Sequence, residues 1–124
     1  MKYPDNLLYS KSHEWLQELE DGSVLIGITA YAAEQMGGVV YVDLPEADDE
    51  AELGESFAEA ESVKAVSEII SPVSGVISVV NQDLEDQPNL LNDSPYDAWI
   101  VRVSDVSERE ELMDAAAYEA FVAE

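Results

Sequence analysis

The feature that most restricts this chain is a succession of short apolar runs, each stopped by a turn residue before a long helix could form. Leu7-Leu8-Tyr9, Glu14-Trp15-Leu16-Gln17 and Ser23–Ile28 read as strands from their alternation and β-branched content. Asp21-Gly22 lies between the last two as a hairpin turn, with Gly supplying the positive φ. Thr29–Met36 is a short helix candidate, capped by Thr29 and ended by Gly37-Gly38. Gly38–Leu44 reads as a strand closed by Pro45. Ser56–Ser62 is another, with Ala58 and Ala60 on one face and Phe57, Glu59 and Glu61 on the other. Val66–Ser71 follows, stopped by Pro72, and Gly75 opens a strand over Val76–Val80. Asn81–Asp86 forms a turn or short helix, and Pro88 and Pro95 bracket an irregular stretch. Ala98–Val103 is a strand with Trp99, Val101 and Val103 on one face.

The pattern then turns helical. Ser107 and Glu110 have capping-box spacing, and Asp114 can cap a second short helix, so a helical tail is expected over about 107–123. Many short strands with a helical tail imply a mainly β fold, a small antiparallel sandwich or partly closed barrel. No linker divides residues 1–124, so one domain is expected.

Charge narrows the function classes. Against 28 Asp and Glu stand only 5 Lys and Arg, a formal net charge of −23. Nucleic acid and anionic membrane surfaces both need clustered Lys and Arg, so neither is an expected partner. No run approaches a membrane span and the N-terminus has no signal segment, so a cytoplasmic protein is expected. With no Cys and the single histidine His13, thiolate metal sites, multi-histidine sites and a Cys nucleophile are excluded. Asp48, Asp49, Glu50 and Glu52 invite a calcium reading, but the EF-hand order of ligands is absent and a solvated loop over Ala47–Leu53 is expected.

Acids run from Asp5 to Glu124, too widely for one docking patch. Their self-repulsion should destabilise the compact state in dilute salt. At about 1 M salt the Debye length falls to roughly 3 Å and most of that repulsion is screened. A salt-adapted cytoplasm, as in halophiles, is the expectation. The melting temperature should therefore rise from low to molar KCl, and a flat or falling curve contradicts this.

One cation stands out. Lys64 lies between two strand candidates in Glu61-Ser62-Val63-Lys64-Ala65-Val66, so strand, lysine-bearing turn and strand occupy about 55–75. Two readings remain open on these residues. Lys64 can be a solvated lysine answering Glu61 or Glu68, in an exposed pair worth about 0–1 kcal/mol. Alternatively, the hairpin tip presents an amine for modification, and a prosthetic group supplies chemistry the Cys-free chain lacks.

The wider pattern favours the second reading. Glu61-Ser62-Val63-Lys64-Ala65, followed by Ser71-Pro72-Val73-Ser74-Gly75, resembles the lipoyl-attachment region of the glycine cleavage system H proteins. Further matching segments are Ser12-His13-Glu14-Trp15, Gly27-Ile28-Thr29, Gly38–Pro45, Leu91–Tyr96, Trp99-Ile100 and Leu112–Ala115. The resemblance implies a lipoyl-domain-like barrel-sandwich hybrid and a non-catalytic, monomeric carrier with lipoate joined covalently to Lys64.

It also implies four enzyme partners. A lipoyl-attaching enzyme modifies the lysine, and a glycine decarboxylase loads an aminomethyl group. A tetrahydrofolate-dependent aminomethyltransferase removes the methylene, and dihydrolipoamide dehydrogenase reoxidises the dithiol. By the same resemblance, Ser12, Glu14 and Glu68 line a cleft that holds the loaded arm, with a carboxylate pairing to its protonated nitrogen. Glu68 departs from the expected Asp, and Ala30 and Gly38 replace expected acids. The alternative for Ser12 and Glu14 is an exposed edge strand, and for His13 a packing or surface role.

Rival readings fit less well. A biotinyl domain typically has Met on both sides of its lysine, where this chain has Val63 and Ala65. A 2-oxoacid dehydrogenase lipoyl domain lacks the Ser12–Trp15 segment and the tail. A relay protein that hands lipoate to other enzymes shares the scaffold. An acidic nucleic-acid mimic shares only the charge.

Overall fold

A computed structural model describes residues 3–123. In chain order the elements are β1 (Leu8–Tyr9), β2 (Glu14–Glu18), β3 (Val24–Ile28), α1 (Ala30–Met36), β4 (Val39–Asp43), β5 (Glu50–Ala51) and β6 (Ser56–Ser62). Then follow β7 (Val66–Ile70), β8 (Val73–Val80), α2 (Asp83–Asp86), α3 (Leu90–Asp93), β9 (Val101–Arg109) and α4 (Ala115–Val122). A six-stranded antiparallel sheet in the order β1-β2-β3-β9-β8-β5 faces a three-stranded antiparallel sheet in the order β4-β6-β7. The mainly β sandwich expected from the alternation is the observed architecture.

Period-two alternation decides what each sheet buries. Leu16, Val24, Ile26, Ile28, Val101 and Val103 of the larger sheet meet Val42, Ala58, Ala60 and Ile69 of the smaller one in the main core. On the other face of the larger sheet, Trp15 joins Tyr3, Leu7, Tyr9, Ala115 and Tyr118 in a second cluster. Trp15 lies across its register partner Gly27, where an added Cβ would come within 2.5 Å of the indole. The chain reaches this cluster because Met113 exchanges two 2.8 Å backbone hydrogen bonds with Tyr9, which delivers α4 beside β1.

Several sequence expectations change. The capping-box pair Ser107 and Glu110 starts no helix: β9 runs through Ser107 to Arg109, pairing Ser74 with Glu108 and Val73 with Arg109. Only α4 is helical in the tail, and its cap is the expected one, with Asp114 Oδ1 accepting from Ala117 N at 2.8 Å. The β9 strand begins at Val101, so Ala98 and Trp99 precede it. The charged loop contains β5, which pairs Glu50 with Val76 and Ala51 with Gly75, and the stretch between the prolines contains α3. Among the described residues no group of three or more acidic or histidine side chains is placed to hold a metal ion.

Gly75 also sits inside β8 and does not open it. At this position the β8–β9 register shifts, and an added Cβ would lie 2.6 Å from Ser104 O and 2.6 Å from Val103 Cγ1. Backbone on one side and core on the other leave nothing that can yield cheaply. Gly75→Ala is expected to cost about 1–3 kcal/mol, read as a lower urea midpoint with an unchanged slope. An unchanged midpoint contradicts the close approach.

The surface is acidic with few answers to it. Two ion pairs, Arg102–Asp21 at 2.6 Å and Arg109–Glu18 at 3.3 Å, are present among the described residues. No helix among those residues is long and apolar enough to cross a membrane.

Candidate functional site

The β6–β7 hairpin carries Lys64 in a two-residue turn formed with Val63. Ser62 builds that turn. Its backbone N donates to Ala65 O at 2.8 Å, and its hydroxyl oxygen accepts from the N–H groups of Lys64 and Ala65, both at 3.2 Å. The turn is thus fixed through backbone groups and one buried hydroxyl, leaving the lysine side chain free of structural duty. Lys64 is exposed and pairs with neither Glu61 nor Glu68. Four exposed apolar side chains, Val40, Tyr41, Val63 and Val66, lie on this same sheet and turn.

The lysine stem lies against the end of α1. An added Cβ at Gly37 would be 3.0 Å from Lys64 Cε and 3.6 Å from its Nζ, and Gly37 has φ 79°, a conformation that favours Gly. Asn92, from α3, fixes this corner: its amide donates to Gly37 O at 2.8 Å and its oxygen accepts from Val39 N at 2.9 Å.

Between the hairpin, α1 and the start of β2 is a cleft of about 430 Å³. Ser12, Glu14, Lys64 and Glu68, the four residues singled out from the sequence, all line it. Ile28, Ala32, Met36 and Ile69 give it apolar walls, and His13 also borders it. Glu68 is exposed at the rim and Ser12 is exposed beside it.

Glu14 is the unusual member. It is not on an exposed edge: it is 2% exposed, on the same face of β2 as Leu16 and in register with Ile28. Strand β7 of the smaller sheet reaches Glu14 through Ile70 and lines the cleft with Ser67, Glu68 and Ile69. Glu14 Oε1 accepts from Ser12 Oγ at 2.5 Å and Ser10 Oγ at 2.7 Å, and Oε2 accepts from Ile70 N at 3.2 Å. Burial pushes its carboxyl up to about 7, with a smaller push from Glu110, against the downward pull of the three hydrogen bonds. No cation pairs with it among the described residues. A buried carboxylate lacking a cation, at the end of an apolar slot, suits a small protonated amine presented on a chain.

His13, expected as a packing or surface residue, packs on Tyr31 with ring centroids 4.8 Å apart and bonds through Nδ1 to Tyr118 OH at 2.7 Å. Burial lowers its pKa. Sequence reasoning passed over Ser10, which is 1% exposed and hydrogen-bonded to the Glu14 carboxylate, and over the cleft wall formed by α1. No local motif marks Ser10, because its importance arises from the chain folding back over Glu14.

The profile of the family described as glycine cleavage H-protein matches residues 7–124. A glycine cleavage system H protein of Lachnoclostridium phytofermentans is 46% identical, with 98% of this chain and 96% of the relative covered. One from Vibrio parahaemolyticus is 51% identical over 90% of this chain and 91% of its own. The crystal structure of a glycine cleavage system H protein from Mycobacterium marinum superposes with a TM-score of 0.92 at 36% identity, covering 98% of this chain and all of that one. These relatives lend no support to the halophilic source expected from the charge, which rests on composition alone.

Proposed function

Because the chain belongs to the glycine cleavage H-protein family, whose members are non-catalytic lipoyl carriers, we propose that Lys64 bears its lipoyl group and that the cleft beside it receives the loaded arm. The function is that of the glycine cleavage carrier. The observation that most supports the site reading is the meeting of Ser12, Glu14, Lys64 and Glu68 around one cleft, although the chain separates the first two from the others by about fifty residues.

When bound, lipoate would supply a dithiolane whose disulfide can be opened reductively, leaving one sulfur able to carry cargo and the other as a thiol. The protein residues do the rest. The Ser62-pinned turn holds Lys64 Nζ in the open, where an attaching enzyme can reach it. The apolar walls exclude water from the arm, and Glu14 and Ser12 offer acceptors to a protonated nitrogen at its end. Glu68 adds negative charge at the rim. Tethering raises the concentration of the reactive sulfur at each docked enzyme.

On this reading the carrier works as a monomer in the cytoplasm with the decarboxylase, the aminomethyltransferase, dihydrolipoamide dehydrogenase and a lipoyl-attaching enzyme. The exposed apolar residues around Lys64 offer those enzymes contact area. Intact mass and peptide mapping of protein from its native cell test the assignment. A lipoyl increment on the peptide containing Lys64 is expected; an unmodified Lys64 in lipoate-replete cells overturns it.

A further inference from the structure

Two walls of the cleft, the Ser12–Glu14 segment and α1, flank the paired end of β2 and β3, and one buried hydroxyl touches both from behind. Tyr118, on α4, is 0% exposed. Its OH lies 2.7 Å from His13 Nδ1 and 2.8 Å from Thr29 Oγ1. His13 sits between Ser12 and Glu14, so one bond reaches the wall that carries both acceptors. Thr29 is the N-cap of α1, accepting from Ala32 N at 3.1 Å, so the other bond reaches the helix that supplies Ala32, Gln35 and Met36 to the cleft.

The backbone brings the two segments together through the β2–β3 ladder, which pairs Glu14 with Ile28, and through Thr29 N to His13 O at 3.1 Å. Among side chains, His13 meets α1 by packing on Tyr31 and, through the Tyr118 hydroxyl, by a hydrogen-bonded path to the Thr29 cap. His13 has φ 75°, a left-handed conformation uncommon outside Gly, so its segment needs tertiary contacts to hold it. The Tyr118 ring is itself immobilised, stacked on Tyr9 at 4.8 Å and 13° and edge-on to Tyr3 at 4.9 Å. A phenol clamped in this way is a fixed brace behind both walls.

We propose that Tyr118 is a positioning residue for the arm cleft: through His13 and the Thr29 cap, its hydroxyl braces the Ser12–Glu14 wall against α1 beyond the end of the β2–β3 ladder, and so tunes the shelter given to the loaded arm. The inference rests on the reading that this cleft receives the arm. It gives α4 a role in carrier function although no α4 residue lines the cleft.

Tyr118→Phe removes the hydroxyl and keeps the ring. Losing both bonds of this hydroxyl loosens the wall and should speed loss of cargo from the loaded carrier about three- to tenfold. In the unloaded protein, Glu14 followed by carboxyl NMR should titrate at a lower pH, because a loosened wall admits water. The effects of Tyr118→Phe and His13→Ala should not add in the double variant.

Tyr9→Phe is the control. It removes a comparable hydroxyl from the same aromatic cluster, bonded to Pro4 O at 2.6 Å and not to His13 or Thr29, and keeps the ring that stacks on Tyr118. It should leave both readouts unchanged. Tyr118→Phe matching the wild type in both readouts overturns the proposal, as does Tyr9→Phe moving both equally. Wild-type carrier that loses cargo as fast as free lipoamide does overturns the arm-cleft reading itself.

Discussion

Replacing Lys64 with arginine should leave a folded protein that accepts no lipoate and supports no glycine cleavage. The guanidinium keeps the positive charge but stays protonated at any accessible pH, so it presents no free amine for acylation. Stability should change by less than about 0.5 kcal/mol, because Lys64 is exposed and the turn is fixed by Ser62 and the backbone. Glycine–bicarbonate exchange with the cognate decarboxylase should fall to background, since a carrier without its arm has no partial activity. Exchange above background in the variant, or lipoylation at another residue, defeats the assignment.

Glu14→Gln should have the second largest effect, and it should separate function from stability. The folded protein raises this carboxyl to about 7 from an ordinary value of 4.5, so the native state binds the proton more tightly than the unfolded chain does. Stability from this group is greatest below the unfolded value, falls as pH rises from about 4.5 to about 7, and is level above that. The fall is on the order of 3 kcal/mol. Glutamine carries no charge to bury, and Ser10 and Ser12 can accept from its amide while its oxygen accepts from Ile70 N. The variant should thus match the wild type near pH 4 and exceed it above pH 7. Denaturant titrations of both proteins at several pH values measure this as a difference, which cancels the titration of the other acids.

The same substitution should harm the carrier. A hydrogen bond to a charged group is worth about 1.5–3 kcal/mol, so cargo should leave the loaded variant roughly ten- to a hundredfold faster. Lipoylation should be unaffected, because Glu14 is buried and its carboxylate bonds to Ser10, Ser12 and Ile70, not to the turn that presents the amine. An unchanged rate of loss removes Glu14 from the arm site. A stability difference that does not vary with pH shows that its carboxyl is not raised.

What could be read in the sequence follows from the range of each physical cause. Strands β2, β3, β4, β6 and β7 were legible because alternation and turn residues act within a few positions. The Asp114 cap was legible for the same reason. The Ser107–Glu110 spacing misled because β8 offers residues 101–109 a complete ladder, and pairing across the sheet outweighs a local capping preference. Gly75 read as a turn residue, yet its lack of a side chain serves the approach of Ser104 O from β9, 29 positions further along the chain. Glu14 carried a usable local signal: it shares parity with Leu16, and an acid on the core face of a strand requires an explanation.

The sequence alone determined the strand-rich class, the excess of acid and the exposed lysine in its turn, because periodicity, composition and turn chemistry are properties of neighbouring residues. Only the tertiary structure decided that Ser12, Glu14, Lys64 and Glu68 share a cleft, that Glu14 is buried with no cation beside it, and that Tyr118 bonds both His13 and Thr29. Those facts depend on which segments lie side by side and on how much water they exclude, and the packing of two sheets with α1 and α4 sets both.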